Sequence, residues 1–345
     1  MTQNTGSCAH LIAVPVTSVG LHGGFRSNSW YAHRLKIFKE YTLKSLANQS
    51  NKNFLLWLWF RPEEKDNPIT QEWFKAIEEA GLEYHASFHG LMYIDDKFLE
   101  YGLKAKIRNF LMMLWDCWVY KTWKSPRELW RYTWEDKNKT LLSRLTKALD
   151  EMKDRIGEQE WVYMTRLDSD DLLHQEAFNL IQSHPPAYKK ALVFGHGFIY
   201  NVMTGQLATW EPPTNAPFHT IIFPGLTFFD PQKHKEYYGS FTSHEDIPKV
   251  FNAETLDMYK YMVSFHGKHI STGWDSDVLR KANHVVKYGK TEPFRGDEIK
   301  GYCYTVSGQN ISTHWQSRMR KQKNFMIGKS FEGQTKQQIL KDFGI

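Results

Sequence analysis

Apolar positions along this chain follow two periodicities. Leu11–Val16 (LIAVPV) and Asn53–Phe60 (NFLLWLWF) are short continuous apolar runs, the pattern of strands buried on both faces. Between them, Leu35, Phe38, Thr42 and Leu46 recur at helical spacing within Arg34–Asn48. Thr70–Ala80 (TQEWFKAIEEA) predicts a helix closed by Gly81, and Leu82–Ala86 a third strand. Leu103, Ile107, Phe110, Leu111, Leu114 and Trp118 form one helical stripe. Leu141, Leu142, Leu145, Ala148, Leu149 and Met152 form another, closed by Gly157. Trp161–Leu167 (WVYMTRL) predicts a strand, and Ala191–Asn201 and Thr220–Asp230 read as strand-like, punctuated by Pro and Gly. The alternation predicts an α/β protein: a Rossmann-like, mostly parallel central sheet with helices on both faces.

Composition narrows the class. With 41% apolar and 24% charged residues in 345, the chain is neither disordered nor embedded in a membrane in bulk. The net charge of +6 suits an anionic ligand or partner without requiring one. Cys8, Cys117 and Cys303 are scattered, which excludes a disulfide framework and any CxxC metal knuckle. No run approaches the ~20 apolar residues that span a bilayer. Met1–His10 carries no Lys or Arg, so it does not read as a signal peptide. The expected location is therefore a reducing, cytoplasmic one. Aromatics reach 15%, and a Trp-rich stretch, Trp115–Trp134, fits either packing of a helical hairpin or an acceptor groove lined by rings. His266–Trp274 echoes Ser307–Trp315, and the segment from Arg318 onward reads as a basic, peripheral tail.

The sharpest chemistry lies directly after the Trp161–Leu167 strand, at Asp168-Ser169-Asp170-Asp171. In open α/β sheets, ligands bind beyond the carboxyl ends of strands. Three carboxylates in four residues repel one another unless a cation lies between them. Mg²⁺-like ions use one or two such groups plus substrate phosphates. Arg166 could hold a phosphate or orient a carboxylate through its planar fork. The competing reading is a solvated acidic turn capping a helix that starts near Leu172. A second acidic pair, Glu245-Asp246, follows Ser243-His244 on a polar turn. It offers a general base, or simply the favoured carboxylates of a helix N-terminus.

Met164–Asp171 (MTRLDSDD) resembles the DxD segment of GT-A glycosyltransferases, and in particular a rhamnosyltransferase family of bacteria and viruses that carries a TRLDxDD string. Arg34–Phe54 is similar to that family's first helix, and His266-Gly267 with Ile270-Ser271 resembles a late "HG.N.S" element. The resemblance implies a GT-A domain over residues 1–317. Its nucleotide-sugar-binding half would be 11–171, with a Trp-rich insertion near 100–137, and its acceptor-binding half 172–317, leaving 318–345 as the tail. It implies a nucleotide-sugar donor with Mn²⁺ or Mg²⁺. Asp170 and Asp168 would hold metal and diphosphate, Asp168 on the ribose or sugar side, and Asp171 would touch the transferred sugar. Thr17, Arg26 and Arg166 would contact the nucleotide or diphosphate. Asp246, narrowly ahead of Glu245, would be the acceptor base, and His266 or His314 a late metal ligand. The second strand ends Trp59-Phe60-Arg61-Pro62, without the acidic base reader of many relatives, which leaves nucleoside and sugar open. A surface glycan is the default acceptor. A hydroxymethylated base in viral DNA is the alternative, and a non-catalytic glycan- or nucleic-acid-binding protein is the rival of another class. A dehalogenase-type phosphatase, which needs its DxD after the first strand, is set aside.

Overall fold

The computed structural model describes residues 7–17, 28–89, 137–202, 205–211, 218–238, 247–256, 261–265 and 326–345, with isolated helical positions between 103 and 130. Two sheets organise it. The larger has the order β10-β6-β9-β4-β1-β2-β3. Its strands are β1 (Cys8–Pro15), β2 (Leu55–Trp59), β3 (Tyr84–Ser87), β4 (Trp161–Arg166), β6 (Lys190–Phe194), β9 (His219–Pro224) and β10 (Asn252–Leu256). β1 pairs in parallel with β2 and β4, β2 with β3, and β10 with β6. Only β9 runs against its neighbours. The protein is thus mixed α/β with a mostly parallel central sheet.

Strand alternation builds a core on each side of that sheet. Ile12, Val14, Leu56 and Leu58 face one cluster, with Phe38, Trp73 and Ile77 from helices. Leu11, Ala13, Leu55, Trp57 and Trp59 face the other, with Leu145, Ala148, Leu149 and Met152. Both faces of β1 and β2 are covered, so both read as unbroken apolar runs. The first helical segment starts earlier than its stripe: α1 (Asn28–Ile37) passes through a π turn (Phe38–Thr42) into α2 (Leu43–Ala47). In α3 (Pro68–Glu79), Asn67 caps by accepting from the Ile69 N–H, and Pro68 occupies the first turn where no donor is needed. α4 (Lys137–Ile156) ends at Gly157, which takes φ +69°.

The smaller sheet has the order β12-β8-β7-β11-β5. It is built from β5 (Leu172–Leu173), β7 (Gly197–Asn201), β8 (Gln206–Glu211), β11 (Tyr261–Phe265) and β12 (Met326–Phe331). Here the structure corrects several sequence expectations. Leu172 opens a two-residue strand, and the next helix, α5 (Ala177–Ser183), starts five residues later. Ala191–Asn201 is two strands in different sheets, because Gly195-His196 breaks the run. Thr220–Asp230 is strand only to Pro224. Gly225 then donates to the Glu160 carbonyl (2.8 Å) and opens the short α6 (Gly225–Phe228). After residue 172 the chain returns to the larger sheet through β6, β9 and β10. Residues 326–345 are not peripheral: β12 pairs with β8, and Phe343 is fully buried against Leu172, Phe198 and Met262. Arg318–Lys323 lie outside the described residues.

Two buried histidines fix an acid limit. Asn51 Nδ2 donates to Gln182 Oε1 (2.9 Å), which leaves the Gln182 amide nitrogen to donate to His10 Nδ1 (2.9 Å). His10 therefore carries its proton on Nε2 and donates to Thr165 Oγ1 (2.7 Å), which lies 2.6 Å from Thr220 Oγ1. Burial holds the His10 pKa down to about 3. His234, whose Nδ1–H donates to the Phe228 carbonyl (2.9 Å), is held down to about 4 by burial despite that bond. Both values lie below the 6.5 of a free imidazole, so the unfolded chain binds protons that the folded chain refuses. The stability they contribute is complete above pH 6.5. It is lost as pH falls through about 4 and 3, by roughly 1.4 kcal/mol per pH unit per histidine across the window. Urea unfolding followed from pH 7.5 downward should show this slope, and His10→Gln should remove one proton from it.

Candidate active site at the carboxyl ends of β1, β2 and β4

β1, β2 and β4 are parallel neighbours, so their carboxyl ends open on the same edge of the sheet. The Leu167 N–H continues the pairing by donating to the Ala13 carbonyl (3.0 Å). Residues 167–171 then cross from β4 of the larger sheet to β5 of the smaller one. The acidic cluster is therefore the link between the two sheets, closed into a turn by the Asp171 N–H bond to the Asp168 carbonyl (3.1 Å).

Two arginines hold this link. Arg34, on α1, is 3% exposed. Its Nη1 and Nη2 donate to Oδ2 and Oδ1 of Asp170, each at 2.9 Å, and its Nε donates to Ser169 Oγ at 2.6 Å. All three nitrogens of one guanidinium donate to two consecutive residues, a fit that its rigid planar fork allows and an ammonium does not. Arg166 Nη2 donates to Asp168 Oδ1 (3.0 Å). These two guanidiniums offset part of the negative charge of the three crowded carboxylates, one pairing with Asp170 and one with Asp168. Arg34 was absent from the candidate residues, yet its position carried a signal. With Tyr31, Leu35 and Phe38 it completes an i, i+3, i+4, i+7 face that is wholly buried. A charge on such a face demands a buried partner.

Burial and the neighbouring Asp168 raise the Asp170 pKa above the usual carboxylate value, and the Arg34 guanidinium opposes them. The two charge-assisted bonds at 2.9 Å, one to each oxygen, favour the ionised form against that burial. Ser169 is fully buried and Asp171 is 5% exposed, so both point inward, while the Asp168 side chain keeps 24% of its surface and the Asp170 side chain 16%.

Thr17, also expected to meet the nucleotide, is 1% exposed and joins two strand ends. Its hydroxyl accepts from the Arg61 N–H (3.1 Å) and its carbonyl from Arg61 Nη2 (2.9 Å). The structure thus brings Asp168, Asp170 and Asp171 together on one link, with Arg166 at the end of β4 and Thr17 after the adjacent strand β1. Arg26, Glu245, Asp246, His266 and His314 lie outside the described residues. Asp168 and Asp170 offer the hard oxygen donors that a Mg²⁺- or Mn²⁺-type ion takes. Two carboxylates suit an ion that draws its remaining ligands from water and phosphate. Among the described residues, no group of three or more His, Cys, Asp or Glu could hold a metal ion.

No family model matches the chain, and no curated protein matches it. Solved structures give distant likenesses. A 1–349 fragment of TarS from S. aureus is 14% identical, with a TM-score of 0.32 over 79% of this chain and 64% of that one. A longer TarS structure is also 14% identical and has a TM-score of 0.32, over 82% and 40%. A protein described as a nucleotide-diphospho-sugar transferase from Desulfovibrio desulfuricans G20 is 13% identical, with a TM-score of 0.30 over 82% and 90%. The chain spans less than two thirds of either TarS structure. At these TM-scores the likenesses carry no weight for the activity. No helix among the described residues is long and apolar enough to cross a membrane.

Proposed function

We propose that the chain is a GT-A-type glycosyltransferase that moves a sugar from a nucleotide-sugar donor to an acceptor hydroxyl, with its donor site at the Asp168–Asp171 link. One observation carries this reading: a carboxylate-rich link, clamped by two arginines, sits where the carboxyl ends of β1, β2 and β4 converge. Ligands of open α/β sheets bind at such an edge. The buried clamp fixes the link before any ligand arrives, which lowers the ordering cost of binding.

In the proposed reaction the acceptor oxygen attacks the anomeric carbon as the bond from that carbon to the diphosphate oxygen breaks. The acceptor proton passes to Asp246, or to Glu245. Asp168, the more exposed of the two outer carboxylates, faces the donor with Asp170 beside it, and Arg34 sets the position of Asp170. A divalent cation held by Asp168 and Asp170 would neutralise the departing diphosphate, as such ions do in phosphoryl and diphosphate chemistry. Arg166 orients Asp168 on the donor side. The acceptor we favour is a surface glycan.

The test is turnover. The full chain, incubated with a panel of nucleotide-sugars, Mn²⁺ and glycan or DNA acceptors, should release nucleoside diphosphate and yield a heavier acceptor by mass spectrometry. Asp168→Asn removes charge at a partly exposed position. It should cut turnover roughly 10²–10³-fold, the usual cost of losing one electrostatic contact to the transition state, with little change in the urea midpoint. A chain that binds donor but never consumes it would be a binding protein instead.

A further inference from the structure

The helical stripe around residues 103–114 leaves apolar side chains exposed. Leu103 is 62% exposed, Ile107 45% and Leu111 57%, three residues spaced i, i+4, i+8 on one face. Phe110 and Leu114, on the same stripe, are half-buried. Phe110 meets Trp130 edge-to-face at 5.3 Å between ring centres, and Trp130 is itself 50% exposed, one turn after the exposed Arg127. Among the described residues six large hydrophobic side chains are exposed, and four of them lie here; the others, Tyr188 and Leu226, are solitary. Solitary exposed hydrophobics are ordinary, but a contiguous apolar stripe marks an interaction surface.

The surrounding sequence says what kind. Residues 103–134 hold seven Lys or Arg against two Asp or Glu, so five of the six net positive charges of the whole chain fall in this stretch. Five of the 13 Trp lie there too. We propose that this face docks on the surface of an anionic lipid bilayer, lying among the headgroups. Aliphatic side chains flanked by Lys, Arg and Trp are the composition of helices that rest in the interface, where apolar groups reach the acyl boundary and cations meet lipid phosphates. Two other occupants fit less well. A second copy of the chain would bring the same excess of positive charge against its own. A nucleic acid would use the cations and rings but leave Leu103, Ile107 and Leu111 in water. The inference stands apart from the transferase reading, since it uses none of the residues at the acidic link.

Sedimentation of the full chain with phosphatidylcholine vesicles, with and without phosphatidylglycerol, tests it. Binding to the anionic vesicles should exceed binding to the neutral ones at least tenfold, and should weaken as salt rises. The Leu103→Gln, Ile107→Gln, Leu111→Gln triple variant should bind roughly tenfold or more weakly, with unchanged circular dichroism and urea midpoint. If the triple variant folds poorly, Leu103→Gln alone, at the most exposed position, should show a smaller loss in the same direction. Equal binding to both vesicle types overturns the proposal, and so does a folded variant that binds as well as the parent. A parent that is dimeric by light scattering and becomes monomeric in the variant, without vesicle binding, assigns the face to a second copy. Oligonucleotide binding that the variant loses, again without vesicle binding, assigns it to nucleic acid.

Discussion

Replacing Arg34 by Met should lower the unfolding free energy by about 3–5 kcal/mol, the usual cost of stripping one partner from a buried ion pair. Arg34 is 3% exposed, and its three guanidinium nitrogens hold Ser169 and both oxygens of Asp170. Without them the Asp170 carboxylate stays largely buried beside Asp168 and Asp171 with its main counter-charge gone. The link then has two responses: to bind a proton, or to swing toward water and drag β5 away from the smaller sheet. Arg34→Lys keeps the charge but cannot form the fork, so it should recover part of the stability and little of any donor turnover. Pairing Arg34→Met with Asp170→Asn should cost clearly less than the sum of the single changes, because each single change strands the other group. Urea titrations of the three variants decide this. Additive costs would mean that the clamp does not act as a unit.

Gly225→Ala should be nearly as damaging, for a steric reason. A Cβ at Gly225 would stand 1.7 Å from the Gln159 carbonyl oxygen and 2.8 Å from its carbon. The neighbouring backbone cannot easily yield. Gly225 N–H donates to the Glu160 carbonyl at 2.8 Å, and the Glu160 and Trp161 N–H groups both donate to Ser7. The added methyl therefore works against the start of β4 as well as the end of β9. Overpacking costs typically 1–3 kcal/mol, and a clash with anchored backbone lies at or above the upper end of about 3 kcal/mol. Gly157 supplies the control. It has φ +69° but nothing within 4 Å of a Cβ, so Gly157→Ala should cost only about 1 kcal/mol, the strain of a left-handed residue. Equal urea midpoints for the two variants would contradict the steric account.

Much of the larger sheet was legible because its information is local. β1, β2 and β4 each bury both faces, so each prints a continuous apolar run whatever its partners are. The α4 stripe was legible for the same reason, since Leu145, Ala148, Leu149 and Met152 meet one core. Asp168–Asp171 stood out by charge density after a strand. The Arg34 clamp was only half visible: the pattern showed an arginine on an apolar face, but not that its partner lay 136 residues away.

The sequence by itself determined the fold class, the order of its first strands and helices, and the acidic cluster that follows one of its central strands. All three follow from side-chain periodicity and local charge. Only the tertiary structure decided that Leu172–Leu173 is a strand, that β12 closes the smaller sheet from the far end of the chain, and that two guanidiniums pair with Asp168 and Asp170 of the acidic link. It alone decided that Leu103, Ile107 and Leu111 are exposed. The reason is physical. Periodicity states which face of an element is apolar, whereas hydrogen-bond pairing, ion pairing and burial are properties of two segments at once, and the second segment is not written in the first.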